Sequence, residues 1–104
     1  MALTPIDTYQ VMYSANSFFP RIWLQGGGKS LGQLIFHPNG AALPPDTSTS
    51  GQAQVHYHLD DFQNIIGLLK TNKPVSLLYS GSGGGFENGI ETGARPVGTR
   101  TVTV

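Results

Sequence analysis

Three histidines are the residues of this chain best suited to chemistry: His37, His56 and His58. The last two stand two apart in "AQVHYHL" (53–59), where Val55, Tyr57 and Leu59 alternate with Gln54, His56 and His58. Alternation of this kind predicts a strand with both imidazoles on the face away from the core. If that strand pairs with "SLGQLIFH" (30–37), His37 joins them. Three imidazoles around an open position are the donor set of a catalytic zinc ion. Asp60 and Asp61 follow, so "HYHLDD" carries a His-x-His-x-Asp pattern of the metallohydrolase kind. A competing reading needs no ligand: the histidines lie on a solvated sheet face, and Asp60 caps a helix.

Two glycine-rich stretches invite a nucleotide reading. "LQGGGKS" (24–30) ends like a phosphate-binding loop, but Trp23 stands where the pattern needs its first glycine. The residues that follow have strand spacing, whereas a phosphate loop must open a helix. "GSGGGFENG" (81–89) lacks the glycine spacing of a dinucleotide fingerprint and runs into another Asn-Gly turn. Both stretches predict hairpin turns, with Lys29 in water and Phe86 exposed at the second tip. No serine sits in a nucleophile elbow, and Glu87 and Glu91 read as solvated turn residues. No cofactor is expected, and an enzyme is the weaker expectation.

The aromatic residues must supply most of the core. Trp23, in the most apolar run, is expected inside. Phe18, Trp23 and Phe86 are the candidates for an exposed interface or a sugar-stacking surface.

These side chains need elements to hold them. Period-two or short apolar patterns predict strands at 8–14, 17–25 (interrupted by Pro20), 30–37, 53–59, 74–80, 89–93 and 96–104. One helix is expected, "DDFQNIIGLLKTN" (60–72), with Phe62, Ile65, Ile66 and Leu69 on one face. Asp60 is its expected cap with Gln63 completing a capping box, and Asn72 a left-handed stop before Pro74. Gly67, a poor helix former, is expected where the helix packs closely on a sheet. Residues 43–53, "LPPDTSTSGQA", read as a loop outside the core. The order predicts an α+β fold: a mainly antiparallel sheet or small curled barrel of six or seven strands, with the helix packed on it.

Composition narrows function further. The 104 residues are expected to form a single domain. Only 12% of them are charged, and six basic balance six acidic residues. The basic residues are scattered singly, which argues against nucleic acid as a partner. With no cysteine, disulfides and thiolate metal sites are excluded. No apolar run reaches the roughly 20 residues of a membrane span, and no signal-peptide pattern opens the chain, so a soluble cytoplasmic protein is expected. Weak surface charge removes the repulsion that keeps copies apart. A non-catalytic module that binds a protein partner or a second copy of itself, as a homo-oligomeric dimer, is therefore the leading expectation. Its expected contacts are Phe86, Arg100, Val102 and Val104, the last three on a terminal strand that Arg100 alone guards. A metal-binding protein or metal-dependent hydrolase, and a carbohydrate or small-ligand binding domain, are the alternatives.

Overall fold

The computed structural model describes residues 2–82 and 85–94. Their strands are β1 (Ala2–Pro5), β2 (Thr8–Met12), β3 (Arg21–Gly26), β4 (Lys29–His37), β5 (Thr47–Thr49), β6 (Gln52–His58), β7 (Val75–Tyr79) and β8 (Asn88–Thr92). A short 3₁₀ turn, Leu59–Asp61, leads from β6 into the helix α1, Phe62–Thr71. β1, β7 and β8 form one sheet in the order β1-β7-β8, and the others a second in the order β2-β3-β4-β6-β5. The fold is α+β and mostly antiparallel, and the sheets do not close into a barrel. Of the expected strands, 17–25 begins only at Arg21, after Pro20 has removed a ladder donor. The one expected at 96–104 lies outside the described residues.

Turn chemistry explains the longest hairpin. Gly27 and Gly28 join β3 to β4 with φ of +60° and +77°, the left-handed pair that a two-residue type I′ connection requires. The expected turn is therefore present. β4 and β6, by contrast, run parallel, with Gly32 opposite Ala53 and His37 opposite His58. Parallel neighbours need a crossover. Here the chain leaves β4, passes beyond the place of β6, enters β5 and turns back at Ser50–Gly51, so that β6 fits between β4 and β5. The stretch 43–53 thus holds an edge strand rather than only a loop.

One face of the larger sheet supplies most of the core. Ile22 and Leu24 of β3, Leu34 and Phe36 of β4, and Ala53 and Val55 of β6 are all buried. Against them pack Phe62, Ile65 and Leu69, which helical spacing places on one side of α1, together with Val75 and Leu77 of β7. Phe36 anchors the aromatic part, 4.9 Å from the Phe62 ring and 5.6 Å from that of Tyr57. The chain passes between sheets at Ile6–Asp7: the Ile6 amide donates to Val75 and the Asp7 amide to Gln25.

The helix ends differ from expectation. Asp60 does not cap α1; it exchanges two hydrogen bonds with the Asn39 side chain, at 2.8 and 2.9 Å. The cap position falls to Asp61, whose side chain makes no capping bond. Asn72 is extended rather than left-handed, and both its backbone and side-chain nitrogens donate to the Leu68 carbonyl. Gly67 has open space where a side chain would project, so close packing does not explain it.

The outer edges of the two sheets meet through a side chain. Asp46 accepts from the His56 amide at 2.8 Å with one oxygen and from the Asn88 side chain at 2.9 Å with the other. Asn88 also accepts from the Ser80 amide and donates to the Gly81 carbonyl, pinning the second glycine turn. β5–β6 is thereby tied to β7–β8.

Three outcomes are expected. In urea denaturation Gly67→Ala raises stability by about 1 kcal/mol through helix propensity alone. Gly32→Ala lowers it by about 2 kcal/mol or more, because φ is +133° there and a side chain would run into the Ala53 backbone. Asp46→Ala is expected to cost about 1–3 kcal/mol, the penalty for stranding half-buried donors; an unchanged midpoint would show that the sheets hold together without it.

Candidate functional site

The face of the five-stranded sheet turned away from the core gathers the chemistry. Alternation along β3 sends Ile22 and Leu24 inward and Arg21, Trp23 and Gln25 outward. On β4 the outward set is Gln33, Ile35 and His37, and on β6 it is Gln54, His56 and His58. All three expected histidines thus lie together at one end of this face, as the spacing and the anticipated strand pairing required.

Their geometry is specific. His37 Nε2 and His56 Nδ1 are 2.8 Å apart and share one hydrogen bond. One of the two nitrogens must be bare to accept it, so the pair holds at most one positive charge while the bond lasts. His58 Nε2 donates to the Ala41 carbonyl at 2.7 Å, so that nitrogen is engaged outside the His37–His56 pair. The Phe19 ring packs on His37 with centroids 4.6 Å apart. His37 is only 7% exposed. Burial, and next His58, hold His37 below the ordinary histidine value of 6.5. Burial and then His37 do the same to His56, with Asp46 opposing them. Among the described residues no three histidine, aspartate or glutamate side chains are arranged to hold one metal ion. Tyr57, on the core face of β6, is pushed up to about 12 by burial and then by Asp46 and Asp61, against a backbone hydrogen bond from Ile90. It stays a neutral phenol.

Trp23 is the largest departure from the sequence reading. It is half-buried on the outer face and stands outside the core cluster. The Arg21 guanidinium lies over its ring, 5.3 Å from the centroid. The signal was parity: Trp23 shares its side of the strand with Arg21 and Gln25, while Ile22 and Leu24 take the other. Backbone register sets Gln10 opposite Trp23, Trp23 opposite Gln33, Gln33 opposite Gln54, and Gln54 opposite Thr47. Five strands thus present one transverse row of uncharged polar residues with an indole in it.

The end of β2 carries exposed apolar groups. Val11, Met12, Tyr13, Phe18 and Phe19 are all exposed, Phe18 by 63%. Tyr13 meets Phe62 edge-on at 5.4 Å. Phe86 is 54% exposed, as expected for the second tip, with its ring against Gly81. Glu87 and Glu91 are exposed as well. Arg100, Val102 and Val104 lie outside the described residues. No described helix is long and apolar enough to cross a membrane.

No protein-family model, curated protein or solved structure matches this chain.

Acid should loosen this corner. Folded-state values below 6.5 for His37 and His56 mean that the unfolded chain binds more protons below that pH. Stability is then fully present above 6.5 and falls as pH drops below it. The urea midpoint is expected to decline from pH 6.5 downward, and His37→Gln, which cannot titrate, to make the decline shallower. A wild-type midpoint that rises on acidification would contradict the assignment.

Proposed function

We propose that this protein is a non-catalytic interaction module whose partner is a second copy of itself. The observation that carries this reading is the character of β2. Among the described residues its only sheet neighbour is β3, so one side of the strand is left for pairing. From Thr8 to Phe19 the chain has no charged residue and no proline. Natural edge strands are usually blunted by lysine, proline or a bulge. β2 has none of these, and Val11, Met12, Tyr13 and Phe18 extend an exposed apolar surface beyond its end. A net charge of zero offers no long-range repulsion against a second copy. Antiparallel pairing of β2 with its symmetry mate would join two five-stranded sheets and bring both aromatic ends into one isologous contact.

Sedimentation velocity over a concentration series tests this. A dimer is expected to build up with concentration in the wild type and to be lost in Val11→Lys, which places a charge on the edge. Phe18→Ser is expected to weaken the dimer without abolishing it. A wild-type protein that stays monomeric at high micromolar concentration would defeat the proposal.

A further inference from the structure

We infer that the outer face of the five-stranded sheet is a binding surface for an extended oligosaccharide, laid along the row Gln10, Trp23, Gln33, Gln54 and Thr47. The inference concerns a different surface from the β2 edge and goes beyond self-association.

Register fixes the row. Each member is the direct cross-strand partner of the next, so all five side chains leave the sheet on the same face. Neighbouring strands lie roughly 4.8 Å apart. That spacing is comparable to the advance per sugar in an extended glycan, so successive sugars can meet successive side chains. Gln10, Gln54 and Thr47 are exposed, and Trp23 and Gln33 half-exposed.

The amides of the row are unengaged. Among the described residues, Gln10, Gln33 and Gln54 make no side-chain hydrogen bond within the protein. The glutamines flanking the row behave otherwise: Gln25 accepts from the Thr8 hydroxyl at 3.0 Å and Gln52 from that of Ser30 at 3.3 Å. A free carboxamide offers two donors and an acceptor in fixed geometry. Three such groups beside an indole match a ligand that alternates hydroxyls with apolar ring faces. The indole supplies the apolar contact, and Arg21, stacked on it, holds its orientation.

Charge selects among ligand classes. The outward strand positions contain no acidic residue, so cations and basic peptides find no complement there. Arg21 is their one permanently charged member, too little for a polyphosphate chain, which is bound by clusters of basic groups. A polyhydroxylated chain, neutral or bearing an occasional carboxylate for Arg21, fits what is left.

The test is an NMR titration of the full chain with two probes, cellohexaose and hexagalacturonate, read at the side-chain amide and indole signals. Saturable shifts of the Trp23 indole and of the Gln33 and Gln54 amides are expected with at least one hexasaccharide, and weaker binding with glucose alone. The triple variant Gln10→Ala, Gln33→Ala, Gln54→Ala alters only surface groups; it is expected to keep its urea midpoint and lose affinity at least about tenfold. Stronger response to hexagalacturonate, abolished by Arg21→Gln, would assign the carboxylate to Arg21. No saturable shift with either hexasaccharide at millimolar concentration overturns the inference, and so does binding that the triple variant retains. Repeating the titration on Val11→Lys separates this surface from self-association.

Discussion

The parallel contact between β4 and β6 is the interaction on which the rest of the structure depends. It forms only because Gly32 has no side chain to meet the Ala53 backbone. Once formed, it has consequences on both faces. Inward, Leu34 and Phe36 of one strand lie beside Val55 and Tyr57 of the other, building the centre of the core. Outward, the same register sets His37 beside His58, Ile35 beside His56 and Gln33 beside Gln54. A slip of one residue would turn the histidines inward and expose the apolar set. Core and candidate surface are therefore specified by one register.

That pairing requires the crossover through residues 38–51, and the crossover brings its own fastening. Asn39 meets Asp60, Ala41 receives His58, and Asp46 receives both His56 and Asn88. Each contact joins the loop to β6, its following turn or β8, so the loop acts as a clasp. Because strand pairing does not continue from β8 to β5, polar side chains do locally what a closed ladder would otherwise do.

Low charge gives the outer face its chemical character. In place of ion pairs the outer face carries two imidazoles joined by a hydrogen bond, free carboxamides and an indole stacked under the Arg21 guanidinium. Such groups offer hydrogen bonds and apolar contact in place of net charge. They leave the histidine corner as the part of the surface most responsive to pH near neutrality.

Local pattern in the sequence was enough for most of the elements, though it missed the edge strands β1 and β5. The spacing of Phe62, Ile65 and Leu69 specified α1, the glycines at 27 and 28 the first hairpin, and the alternation in 53–59 the shared face of His56 and His58. Propensity and periodicity act within a few residues, so they can be read there. Strand direction, the partner of Asp60, the clasp at Asp46 and the row through Trp23 were decided by tertiary structure. In each, the deciding contact joins residues far apart in the chain. A period of two separates the faces of a strand without saying which neighbour will lie beside it. Trp23 shows the boundary: its side of the strand was legible from Arg21 and Gln25, but its place between Gln10 and Gln33 exists only once β2, β3 and β4 have found their register.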